Sequence, residues 1–237
     1  MRPWPGEPLV SSELPLVPGA PESALPSDVQ LPADVPAAPW RCIFDGVIWM
    51  QRAGAGVTAL LPAPLRQAAT PRLLMGAHLH YTDTPVGPYS EVFAALVVRA
   101  GVRPAAHVPF MAVDDLRSVR GGRANWALPK TVARFTGDPA VSGTLEAVGQ
   151  GWRIETRARA LGPALRLVMG LRLAQVRPDG TVARFSTTIS GRARLASAAV
   201  RSRSDHQLPV WMPPGRHVAL QWRGASLTVT PAVRHAP

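Results

Sequence analysis

From residue 141 to the C-terminus the chain reads as one strand after another. Apolar and polar residues alternate over 143–148, 152–160, 165–176, 181–189, 192–200, 217–222 and 227–229, and turn signals such as Gly149-Gln150-Gly151 and Pro178-Asp179-Gly180 separate several of these segments. A period of two turns one face of each strand to a core and the other to solvent, and short connections pair successive strands antiparallel. Residues 43–52, 73–81, 89–100 and 107–113 add four more strands upstream. The expected fold is therefore mainly β, an antiparallel sheet closing into a barrel or cone, with a few short helices. Residues 89–100 run Tyr-Ser-Glu-Val-Phe-Ala-Ala-Leu-Val-Val-Arg-Ala, almost continuously apolar, which predicts burial on both faces.

Between these strands the pattern changes. Residues 57–61 suggest a helical turn stopped by Pro62 and Pro64, and Asp114-Asp115 opens a helical segment that Gly121-Gly122 is expected to end. Residues 1–38 carry many prolines with scattered acids and show no period, so they read as an extended, poorly ordered arm with either no function or a part in subunit contacts. That leaves 39–237 as a single β domain, a size that needs no second core.

Charge narrows the function. The chain has a net charge of +11 and a pI near 11.5, a balance that raises nucleic acid as a partner. Its arginines, however, are spread evenly and alternate with apolar residues, as in Arg153-Ile154-Glu155-Thr156-Arg157, the mark of solvated strand faces, so no nucleic-acid partner is expected. A single cysteine, Cys42, excludes an internal disulfide and a cysteine zinc cluster, and its apolar neighbours place it in the core. His78 and His80 share a strand face, but no third ligand follows at metal-binding spacing, so they read as polar strand positions. No phosphate-cradling glycine loop or nucleophile elbow is present. The sequence shows neither a leader pattern nor an apolar run long enough to span a bilayer, and the cytoplasm is the expected location.

Against that background Lys130 stands out. Of 26 basic residues it alone is lysine. A guanidinium stays protonated, whereas an amine that loses its proton in an apolar setting can attack a carbonyl. Trp126, Ala127, Leu128 and Val132 supply such a setting, and Pro129 stiffens the approach. Arg123 and Asn125 are polar neighbours that could bind a substrate carboxylate or carbonyl, although Arg123 could equally pair with Asp114 or Asp115.

Three ordered landmarks resemble the acetoacetate decarboxylase family over about residues 36–230: Leu61-Pro62-Ala63-Pro64-Leu65, then Tyr89-Ser90-Glu91, then Gly122-Arg123 followed by Pro129-Lys130. The resemblance implies a Schiff-base lysine at Lys130 and an acidic partner at Glu91, with Tyr89, Arg123, Asn125 and Trp126 binding substrate. It implies decarboxylation of acetoacetate or a related β-keto acid by a homo-oligomer, without metal or organic cofactor. The pattern also departs from the family: Ala124 and Thr131 stand at a family glutamate and a second family lysine, Gly76 lies near another family glutamate, and the family's N-terminal arginine falls in a gap near Arg41. Aldol or dehydration chemistry on a larger keto acid, or a barrel that binds small molecules without turnover, are the alternatives these departures leave.

Overall fold

In the computed structural model, which describes residues 8–54, 56–66, 70–100, 103–138 and 144–235, the alternating segments form one large sheet. β1 (Trp40–Arg52), β2 (Thr70–Asp83), β3 (Tyr89–Ala100) and β4 (Arg103–Val113) pair antiparallel in chain order. Two short helices interrupt the first half, α1 (Ala63–Arg66) and the longer α2 (Leu116–Trp126). β5 (Lys130–Val132) returns beside β4, and β6 (Arg134–Gly137), β7 (Thr144–Gly149) and β8 (Trp152–Ala160) meander. The second half is built from β9 (Leu165–Val176), β10 (Val182–Ser204), the short α3 (Leu208–Trp211), β11 (Gly215–Val229) and β12 (Val233–His235).

Seven strands close on themselves in the order β11-β1-β2-β3-β4-β9-β10, because β10 also pairs with β11. The ring's seam lies between β4 and β9, which run parallel and meet among the described residues at one backbone bridge, Ala106 with Leu173. Side chains reinforce it: Gln175 donates to the Val108 carbonyl (3.2 Å) and His107 to that of Ala174 (3.2 Å).

The period of two sorts the side chains into two cores. On β3, Glu91, Phe93 and Ala95 point into the ring, while Val92, Ala94, Leu96 and Val98 face a second apolar layer shared with β7, β8, α3 and the far half of β10. This is why β3 is apolar almost throughout. On β8, Trp152, Ile154 and Thr156 are buried and Arg153, Arg157 and Arg159 turn outward, as the alternation predicts.

The structure differs from the sequence reading in four places. Residues 181–189 and 192–200 are one continuous strand, β10, and 217–222 and 227–229 are one strand, β11. The expected breaks are register shifts near Ser190 and Arg192, where an extra residue bends a strand without ending it. β5, β6, β12 and α3 have too few residues to show a period. α2 does not stop at Gly121-Gly122 but runs on to Trp126, where Ala127 closes it in the left-handed region (φ 52°).

The fourth difference is the N-terminal arm. Over residues 8–38 it is packed rather than loose: Leu9, Leu14, Val17 and Ala20 are buried, with Leu9, Leu14 and Val17 against Ala124 and Ala127. Short turns inside the arm bond its backbone locally, and other contacts tie it to the sheet. The Leu9 N–H donates to the Ala124 carbonyl, that of Ala20 to Pro109, and the Glu22 carboxylate accepts from the Ser204 hydroxyl (2.5 Å) and the Leu208 N–H (2.7 Å). Single turns joined by such scattered ties show no period, which is why the sequence reads as loose.

Two measurements follow from this packing. Leu14→Ala is expected to destabilise by about 2–5 kcal/mol, whereas Leu16→Ala, two residues on and 64% exposed, stays within about 0.5 kcal/mol; urea titration compares them. Burial also pushes the imidazoles of His78 and His107 down from 6.5 to about 3 and about 4. In the unfolded chain they bind protons below about 6.5, so their stabilising effect is complete above that pH and is lost as pH falls toward 4. The loss of urea stability between pH 7 and 5 is expected to be shallower in His107→Gln.

Candidate functional site

Lys130 is held at both ends. β5 pairs with β4 so that Lys130 lies opposite Met111, and the tight approach from Ala127 through Pro129 is closed by the Lys130 N–H donating to the Leu128 carbonyl (2.8 Å). Pro129 lies against Gly19 of the arm. The Lys130 carbonyl accepts from Arg123 Nε (2.6 Å), and from there the side chain runs across α2 into the ring. Two glycines allow this crossing. A Cβ at Gly122 would sit 2.5 Å from Lys130 Cδ, and one at Gly121 would sit 2.5 Å from the Trp40 ring. Glycine inside a helix costs up to about 1 kcal/mol, and here it opens the only surface on which these side chains can lie.

The amine ends among three acceptors, which match the three donors of an ammonium. Lys130 Nζ is 2.7 Å from Glu91 Oε2, 2.9 Å from Ser118 Oγ and 3.4 Å from the Tyr89 hydroxyl. Both charged groups are almost fully buried, Lys130 at 4% and Glu91 at 3% exposure. The other carboxylate oxygen, Glu91 Oε1, accepts from the Tyr81 hydroxyl at 3.0 Å. Burial first, and the Glu91 charge second, hold both phenols well above their ordinary range, so that both stay neutral, Tyr81 donating to Glu91 and Tyr89 accepting from Lys130. Burial likewise pushes the Cys42 thiol up to about 12, against the pull of Lys130.

This pair opens on a cavity of about 230 Å³ inside the ring. Its walls are aromatic and aliphatic, with Trp40, Phe44, Trp126 and Phe185 near methionines from β2, β4 and β9, and among the described residues Lys130 and Glu91 are the only charged ones that line it.

The residues singled out in the sequence divide accordingly. Lys130, Glu91, Tyr89 and Trp126 meet at the cavity. Arg123 and Asn125 do not line it. Arg123 is fully buried behind the site, where its guanidinium donates to the carbonyls of Lys130, Leu14 (2.6 Å) and Ser23 (2.8 Å), with burial lowering its pKa to about 10. It therefore neither faces a substrate carboxylate nor pairs with Asp114 or Asp115. Asn125 donates to the Pro36 carbonyl (3.1 Å). Trp126 presents its ring to the cavity while its N–H donates to Thr230 (2.8 Å). His78 lies in the second core beside Thr156 and Phe135, and His80 contacts Ser90. No group of three potential metal ligands occurs among the described residues.

Ser118 and Tyr81 were not foreseen. Ser118 sits four residues before Gly122, on the same helical face that Lys130 crosses, and its N–H caps the helix by donating to Asp115 (2.8 Å). Tyr81 is the cross-strand partner of Tyr89, two residues along from Glu91. Each could be found only after the lysine had been placed.

A closed β ring with a buried lysine–glutamate pair at one end of an apolar cavity defines the class of the molecule. The model of the acetoacetate decarboxylase family matches residues 47–216, and the chain belongs to that family. Solved structures share the fold at low identity. Acetoacetate decarboxylase from Legionella pneumophila is 15% identical with a TM-score of 0.59, covering 90% of this chain and 92% of that one. An acetoacetate decarboxylase-like enzyme from Sphingomonas wittichii is 17% identical with a TM-score of 0.57, covering 90% and 99%. The enduracididine biosynthesis enzyme MppR, crystallised with pyruvate, is 16% identical with a TM-score of 0.57, covering 86% and 92%. No curated protein sequence matches the chain.

Gly122→Ala tests how the amine is positioned. The added methyl, 2.5 Å from Lys130 Cδ, must displace the Lys130 side chain. Cooperative unfolding is retained, and a crystal structure of the variant shows the amine withdrawn from Glu91.

Proposed function

We propose that the protein is a Schiff-base decarboxylase that acts on a β-keto acid through Lys130. The observation that carries this reading is the Lys130 amine, 2.7 Å from a buried carboxylate in a cavity otherwise lined by uncharged side chains. For attack the ammonium must give up a proton, and Glu91 is the acceptor in direct contact. Nζ then adds to the ketone carbon, Glu91 passes that proton to the hydroxyl so that it leaves as water, and the cationic iminium draws the electron pair of the breaking carbon–carbon bond as carbon dioxide departs. A second proton, taken from solvent through Glu91, goes to the enamine carbon, and hydrolysis frees the ketone and returns the ammonium. Apolar walls favour this step, because they solvate the substrate carboxylate poorly and neutral carbon dioxide well.

Condensation or dehydration through the same iminium is the second reading. Its support is a neighbour of the same fold, MppR, crystallised with the condensation product of pyruvate and imidazole 4-carboxaldehyde.

Borohydride reduction with a panel of keto acids, read by mass spectrometry, separates these readings. Addition at Lys130 with release of carbon dioxide is expected. Lys130→Arg abolishes both while preserving the fold, and Glu91→Gln still traps but turns over about 10²–10⁴-fold more slowly. Trapping without carbon dioxide points to condensation or dehydration. Absence of trapping with every keto compound overturns the Schiff-base mechanism and leaves a binding protein.

A further inference from the structure

The cavity is larger and less polar than a short keto acid requires. An apolar cavity of roughly 150 Å³ accommodates benzene, and on that scale about 230 Å³ holds roughly nine or ten non-hydrogen atoms. Its two charged groups and both phenols are gathered at the Lys130 end. The Tyr81 and Tyr89 hydroxyls are already engaged with Glu91 and Lys130, and no arginine lines the walls. Beyond the amine, the β3 wall continues from Glu91 to Ala95, a distance of about 13 Å along the strand, with Phe93 between them.

The opposite wall is exposed in a particular way. Two cross-strand rows, Met169–Ile189–Leu227 and Leu171–Thr187–Val229, line the cavity from β9, β10 and β11, yet all six residues are only half-buried. The cavity's far wall is thus partly open to solvent, and five of its six residues are apolar.

Resting on the Schiff-base reading above, we infer that the substrate is a keto acid whose keto carbon carries an apolar alkyl group of about three or four carbons. The keto carbon meets Lys130, and the apolar group lies along Phe93 and Ala95 toward the two rows. Each methylene moved from water into such walls improves affinity a few-fold.

Decarboxylation of acetoacetate and 3-oxoheptanoate tests this, alongside binding of their ketone products, acetone and 2-hexanone, followed by tryptophan fluorescence. The expected kcat/KM for 3-oxoheptanoate exceeds that for acetoacetate by about 50-fold, and 2-hexanone binds more tightly than acetone. Ala95→Leu, which narrows the cavity away from the amine, lowers the 3-oxoheptanoate to acetoacetate ratio at least tenfold. Equal or better use of acetoacetate, with trapping at Lys130 intact, overturns the inference and leaves the Schiff-base reading standing. Loss of all trapping with 2-hexanone still preferred overturns the mechanism and keeps the ligand class. Should 2-hexanone bind no better than acetone, the ligand class is wrong whatever the chemistry.

Discussion

A buried guanidinium holds the site together from behind. Arg123 spends its donors on three backbone carbonyls that belong to Leu14, Ser23 and Lys130, residues far apart in the chain. A buried charge without such partners would cost several kcal/mol, so the arm, α2 and β5 are each required where they are. Because one of those carbonyls is that of Lys130 itself, the same interaction fixes the base of the side chain whose tip meets Glu91. The arm and the base of the Lys130 side chain share one anchor.

The sequence differences from the family take on a physical meaning in this frame. Thr131, where the family has a second lysine, donates to the Ala24 carbonyl at 2.8 Å and so joins the arm. Ala124, at the family glutamate, packs with Leu9 and Leu14. At Gly76 a side chain would collide with the indole of Trp49, which fills the space in the second core. Arg41 lies on an exposed strand position and does not line the cavity. All four of these residues thus serve structure away from the cavity, and its charged lining residues, among those described, are Lys130 and Glu91.

Much of this was legible in the sequence because strand alternation is a local signal. β3, β8 and β9 were readable to their end residues, and the isolated lysine with Glu91 upstream pointed to the two groups that meet. What escaped were features defined by partners distant in the chain. The arm has no period because Arg123, Pro109 and Ser204 satisfy it from outside. Gly121-Gly122 resembles a helix stop because the side chains that cross there, Trp40 and Lys130, are not adjacent in sequence. Arg123 was placed beside the substrate by proximity to Lys130, yet successive residues on a helix point in different directions, and this one points to the arm.

The outward-facing arginines of β8 have a chemical consequence beyond charge. A guanidinium does not condense with ketones under conditions where an amine does, and Lys130 carries the chain's only ε-amine. Reactive carbonyl compounds that meet the strand surfaces therefore find no lysine to modify. The strand surfaces carry positive charge without an ε-amine, and the chain's one ε-amine lies inside the ring.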